Sequence, residues 1–288
     1  RRRRLPFLAG GAACLTAAVI VAVPPPLIAR AYPTSFVRPP VSYHVSSIAK
    51  GKAIYEQNCT SRFTWFFESE AARWLTAGEL FWLVTNGLPA QGLAGCNNRL
   101  EEVDRWHVVN FMRAYIRASE SRKIEPAVDF ENPWLVAPDF TISVGPLTPS
   151  SLRDWRHRRM VLLVLYSLPE SRERLSELAL KYGALSVLGV EIVAVSRQTT
   201  GNPIAKLGDD PPISFPVVTS GNAEISTAYG LFAPGVSHAE LLIDRQGYLR
   251  AIWREGETGM PDVEAVQAQV ERLNQEKTPP PLPEDHIH

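Results

Sequence analysis

Met160-Val161-Leu162-Leu163-Val164-Leu165-Tyr166-Ser167 follows Arg158-Arg159 and runs without a charge to the edge of Pro169. A strand with one wet face alternates apolar and polar residues. A near-continuous apolar run of strand length has both faces covered, as a central strand between helices does. The elements around it carry the same signature. Pro169 to Tyr182 reads as a helix, with Leu175, Leu178, Ala179 and Tyr182 at helical spacing, and Val190 to Ser196 reads as a second buried strand. Leu241 to Asp244, a turn at Arg245-Gln246-Gly247, and Tyr248 to Trp253 form a hairpin. Pro261 to Leu273 closes the region as a helix with Pro near its first turn. From Pro138-Asp139-Phe140 onward the order is β, α, β, α, β, β, α, which predicts an α/β domain over residues 138–275. Residues 276–288 form a Pro-rich polar tail with the composition of a disordered segment.

Upstream, residues 46–118 read as a small all-α domain. Ser47 to Cys59 is a first helix. Thr76 and Glu79 form a capping box opening a second, which Gly87 closes. Leu100 to Ile116 has acids in its first turn and apolar residues near i, i+3 and i+4, as a packed terminal helix should. A Pro-rich spacer, 32–45, precedes this region, and a polar linker, 119–137, follows it. Residues 1–31 hold Arg1 to Arg4 and then Leu5 to Val23, about twenty uncharged residues, the length of a transmembrane helix. The arginines mark its cytoplasmic side. A signal peptide cut after Ala29-Arg30-Ala31 is the other reading; the length of the apolar run favours a retained helix or signal anchor.

Lys+Arg and Asp+Glu balance at 30 each, so bulk electrostatics give no reason to expect nucleic-acid binding. Three cysteines, Cys14, Cys59 and Cys96, make neither a disulfide framework nor a zinc site. A Cys59–Cys96 bridge is conceivable if the domain is exported.

The 46–118 region resembles a c-type cytochrome in outline. Ser47 to Cys59 resembles the helix that leads into C-x-x-C-H, but the run continues Thr60-Ser61-Arg62-Phe63. Arg62 stands where the second thioether cysteine would be and Phe63 where the axial His would be. Gly92-Leu93-Ala94-Gly95-Cys96 places Leu93 at the Met ligand position. Trp65, Phe66, Phe67 and Trp74 lie in the short connection where the family has a haem-wrapping loop, and aromatic side chains are expected to fill that volume or to face a membrane or partner. With its Tyr32-Pro33-Thr34-Ser35 spacer, the chain resembles the C-terminal region of bacterial copper resistance protein D family fusions, in which a cytochrome c domain follows the membrane domain. The 138–275 region resembles the thioredoxin-like fold of peroxiredoxins and thiol oxidoreductases. There the reactive thiol sits at a helix N-terminus, where this chain has Ser167-Leu168-Pro169-Glu170-Ser171-Arg172. The family's cis-proline position aligns with His238.

The expectation is therefore multidomain: a transmembrane helix, a cytochrome c-like domain lacking its haem motif, and a thioredoxin-like domain lacking its cysteine. The resemblances imply a non-catalytic, membrane-anchored scaffold without a cofactor. It would lie in the bacterial inner membrane with its domains facing the periplasm, beside a respiratory or copper-handling membrane complex. The alternative is an electron-transfer protein whose haem is held through Cys59 alone, with His107 or His44 as an unusual ligand. His238, near Glu170 or Glu240, and His286 with His288 in the tail are the weak metal candidates. A lone His such as His238 reads more simply as structural. Ser171 has no triad around it, and Arg153 to Arg159 read as a solvated turn.

Overall fold

The computed structural model describes residues 32–59, 64–88, 94–96, 100–122, 127–128, 130, 135–143, 149–198, 213–256, 259–279 and 282–283. Its centre is a five-stranded sheet in the order β1-β7-β6-β4-β5. The strands are β1 (Leu135–Val136), β4 (Met160–Tyr166), β5 (Val190–Ser196), β6 (Ala239–Ile243) and β7 (Tyr248–Arg254). β4 and β5 are parallel, in register Met160↔Val190 to Tyr166↔Ser196. β6 and β7 run antiparallel to β4 and to each other. Two short strands, β2 (Thr141–Ile142) and β3 (Ser150–Ser151), pair separately.

All seven residues of β4 are buried, because each face of the sheet is covered by helices. Leu162, Val164, Tyr166, Ile192, Ala194, Leu242, Ala251 and Trp253 point to one side, and their alternating neighbours point to the other. Helices α4 (Arg172–Val187) and α6 (Val263–Asn274) lay Leu175, Leu178, Leu185, Val266 and Val270 on the first side. Each such buried side chain contributes about 1.5–3 kcal/mol. The second side receives α5 (Asn222–Gly230), through Ile225, Ala228 and Tyr229, and then the N-terminal helices.

Those helices are α1 (Val45–Asn58), α2 (Ala77–Asn86) and α3 (Glu102–Ser121). α1 and α3 cross at Gly51, where a built Cβ would collide with the carbonyl oxygen of His107. Only a residue without a Cβ permits that approach. Phe81 stacks on Trp106 at 4.3 Å, and Tyr55 packs against Phe67 and Phe111 at 5.9 and 5.3 Å. The capping box of α2 is present as read, with Thr76 and Glu79 exchanging bonds.

The structure corrects the expected architecture. Helices α1 to α3 do not form a separate all-α domain: their apolar faces join one core with Val161, Leu163, Leu165, Leu241 and Ile252 of the sheet, and α1 packs on α5. A sheet face with α5 alone on it would leave apolar surface in water, so the helical segment is absorbed into the same body. The 32–45 segment is not a free arm. Thr34 Oγ1 donates to Gly78 O at 2.6 Å, Thr76 Oγ1 to Ser35 O at 2.9 Å, and Asp139 N to Tyr43 O at 3.0 Å. The 119–137 segment supplies the end of α3 and edge strand β1. Among the described residues no helix is long and apolar enough to cross a membrane; Leu5 to Val23 and the 1–31 segment lie outside them. Among the aromatic run, Phe67 fills core space and Trp74 is 80% exposed.

Candidate functional site

At the carboxyl end of β4 the chain turns through Ser167 and Leu168 into α4. Ser171, 1% exposed, accepts a hydrogen bond from Ser167 N at 3.2 Å, and no base approaches it. Beneath this turn lies a buried ion cluster. Arg174, in the first turn of α4, donates from Nε and Nη2 to the two oxygens of Glu240 at 2.6 and 3.1 Å, and from Nη1 to Glu177 at 3.0 Å. His238 Nε2 meets Glu240 Oε1 at 3.2 Å, while His238 Nδ1 is buried without a partner. Burial drives the Glu240 carboxyl upward, but the hydrogen bonds from His238 and Arg174, with the guanidinium charge, outweigh it and hold the group below the usual carboxylate range. Glu170 is exposed and makes no bond to His238.

Of the candidate metal ligands, His238 is thus hydrogen-bonded to Glu240, which also holds Arg174. Among the described residues no group of three His, Cys, Asp or Glu side chains is placed to hold a metal. His286 and His288 lie outside the described residues. The cluster escaped sequence reading because Arg174 and Glu240 are 66 residues apart. Helix and strand patterns place both elements but say nothing of which charges meet between them.

The second site is in the helical layer. Cys59 and Cys96 are joined by a disulfide, with Cα atoms 4.5 Å apart and exposures of 5% and 4%. The bridge left open in the sequence is therefore formed. Cys59 caps the carboxyl end of α1, its N–H donating to Tyr55 O at 2.9 Å. Cys96 N donates to Val84 O at 2.8 Å, and Gly95 lies against the carbonyl of Thr85. Arg105 reaches over from α3. Its Nη1 donates to Thr85 Oγ1 at 3.3 Å, its guanidinium carbon lies 5.3 Å from the Phe81 ring centroid, and its Nε is buried without a partner.

Haem does not fit these residues. The Cys59 sulfur that would form the thioether is bonded to Cys96. The structure places His107 on α3 with Nδ1 at 2.9 Å from Ser47 Oγ, and His44 at the N-cap of α1 with Nδ1 at 2.8 Å from Ser46 Oγ, bonds that do not themselves decide ligation through Nε2. Phe63 and Leu93 lie outside the described residues.

Residues 135–252 match the model of the AhpC/TSA family, and their fold is thioredoxin-like. Among similar solved structures is a putative thiol:disulfide interchange protein DsbE from Chlorobium tepidum, at 20% identity, covering 49% of this chain and 97% of that one, with a TM-score of 0.42. A thiol:disulfide interchange protein from Bacteroides sp. shares 18% identity over 55% of this chain and 98% of its own, with a TM-score of 0.41. Plasmodium yoelii thioredoxin peroxidase I shares 19% over 54% and 98%, also with a TM-score of 0.41. No curated protein matches the chain. The family match overturns the expectation that this chain is not an enzyme: AhpC/TSA points to redox enzymatic activity. Yet the matched segment contains no cysteine, the chain's three being Cys14, Cys59 and Cys96.

Proposed function

We propose that this chain is a thiol–disulfide redox protein working outside the cytoplasm, with the Cys59–Cys96 disulfide as its redox group and the thioredoxin-like layer as the platform that carries it. One observation carries this reading. The only cysteines among the described residues are already paired with each other, in a layer whose core is continuous with the AhpC/TSA-like sheet. A partner protein dithiol would reduce the bond. One thiolate attacks a sulfur of the disulfide and expels the other cysteine as thiolate; the partner's second thiol then attacks the partner's own sulfur in the mixed disulfide and expels the remaining cysteine of this chain as thiolate. The partner loses two electrons and two protons, and Cys59 and Cys96 end as thiols.

An oxidising compartment, in which a disulfide persists, supports the location, as do Arg1 to Arg4 ahead of an apolar segment. The resemblance to copper resistance protein D fusions supports a setting beside copper-handling or respiratory membrane complexes. Both sulfurs are covered, so exchange requires this corner to open, and its rate should be slow and gated.

The test equilibrates the full chain in dithiothreitol buffers of graded potential and counts thiols by alkylation and mass. A reversible two-thiol transition in the folded protein, with transfer of the disulfide to reduced ribonuclease that is lost in Cys59→Ser, is the expected result. A bond that opens only on unfolding would overturn the proposal.

A further inference from the structure

The two cysteines of the disulfide are held by different backbone elements. Cys59 is the C-cap of α1, a helix of 14 residues, so its sulfur lies at the negative end of the helix dipole. Glu56, on the last turn of the same helix, adds negative charge, offset at 3.7 Å by exposed Lys52. A thiolate at Cys59 is disfavoured by both. Cys96 follows Gly95, which lies against the Thr85 carbonyl, and the guanidinium of Arg105 is bonded to the hydroxyl of that same Thr85. Arg105 forms no ion pair among the described residues. It contacts the Thr85 hydroxyl and the face of Phe81, neither of which neutralises it.

The acids on the elements around this corner are paired, committed to a helix cap or exposed to solvent. Asp104 is paired with Lys50 at 2.8 Å. Glu79 is committed to the capping box at the far end of α2. Glu101 and Glu102 are exposed at the start of α3. A partly desolvated guanidinium without a counter-ion lowers the cost of forming a neighbouring thiolate.

Resting on the redox reading above, we propose that Cys96 is the stabilised thiolate of the pair and that Arg105 is the positioning residue whose charge sets it. The order of bond changes follows. The better leaving group is the thiolate of lower pKa, so an incoming partner thiolate attacks Cys59 Sγ, the Cys59–Cys96 bond breaks, and its electron pair leaves on Cys96 Sγ. The mixed disulfide then forms on Cys59. The partner's second thiol cleaves it, and the departing Cys59 sulfur takes up a proton. Two electrons pass from the partner dithiol to the Cys59–Cys96 pair, and the partner leaves as a disulfide.

The thiols are titrated in the full chain by iodoacetamide alkylation against pH, using Cys59→Ser to leave Cys96 free and Cys96→Ser to leave Cys59 free. The pH of half-maximal rate is read, since restricted access of the reagent scales the rate at every pH without moving that midpoint. Cys96 should titrate about one unit below Cys59, an expected ten-fold difference in thiolate population near neutrality. Adding Arg105→Met should raise the Cys96 midpoint and leave that of Cys59 in place, and Arg105→Lys should restore it. Mapping of alkylated sites in the reduced wild-type chain gives the same ordering without a cysteine variant. Cys59 titrating lower, or a Cys96 midpoint unmoved by Arg105→Met, would overturn the assignment. Failure of the wild-type disulfide to exchange would overturn the redox reading, while the thiol order would still be decided by the two variant titrations, each followed at the Cys59 or Cys96 peptide so that Cys14 does not contribute.

Discussion

The α/β layer and the helical layer share one core but are tied together by different chemistry. In the α/β layer, the seven-residue strands β4 and β7 are buried along their whole length, and charged residues inside it are matched in place: Arg174 with Glu240, and Arg250 with Asp244 at 2.8 Å. In the helical layer, where α3 runs 20 residues and α1 runs 14, a covalent bridge spans 37 residues between Cys59 and Cys96. The difference teaches where each layer's order comes from. Continuous apolar strands specify their own neighbours, whereas helices separated along the chain gain from a cross-link that limits the unfolded chain.

The largest expected effect breaks the ion cluster. Glu240→Ala leaves Arg174 buried with only Glu177 at its outer edge, and an unpaired buried charge costs about 3–5 kcal/mol. Urea unfolding should show that loss across the whole molecule, because β6 is central to the sheet. A change under ~1 kcal/mol would mean that water reaches the guanidinium. Next, the bridge: reducing the disulfide, or Cys96→Ser, should cost about 2–4 kcal/mol by loss of the chain constraint. Hydrogen exchange should then rise in α1 and α2 while β4 and β5 stay protected. Equal loss in both layers would erase the distinction drawn between them.

The smallest effect is one of pH. His44 and His107 are both held below the usual histidine range, first by burial and then by Arg153 and Lys50 respectively, against partial opposition from Asp139 and Asp104. A group whose folded pKa is depressed binds fewer protons in the folded than in the unfolded state, so stability rises with pH. Its contribution is complete above the unfolded value near 6.5 and is lost as pH falls through the folded value. Chemical denaturation at pH 5 and 7.5 should show the slope, and His107→Asn should reduce it. A slope unchanged by that variant would place the proton uptake elsewhere.

Much of the α/β layer was legible in the chain. Val190 to Ser196 is the strand read from its apolar run, and Asp244 Oδ1 accepts from the N–H groups of Gln246, Gly247 and Tyr248 in the turn that Arg245-Gln246-Gly247 announced. The helix after β4 begins at Arg172 rather than Pro169, since Pro169 and Glu170 are spent in the turn. The sites were less legible. Cys59 and Cys96 were visible as residues, but a pair of thiols 37 positions apart carries no sign of bonding until α1 and the segment after α2 are brought side by side.

By itself the sequence determined the elements: the 2.0 and 3.6 periodicities, the capping box at Thr76 and Glu79, and the absence of any cysteine after Cys96 are local properties that no packing can alter. Only the tertiary structure decided that the helices and the sheet are one body. An apolar helix face is equally satisfied by its own neighbours or by an uncovered sheet face, and the pattern along the chain is the same in both cases. The same holds for Arg105 beside the Cys96 corner and for Glu240 beneath α4. Charge complementarity acts through space, across separations that sequence spacing does not encode.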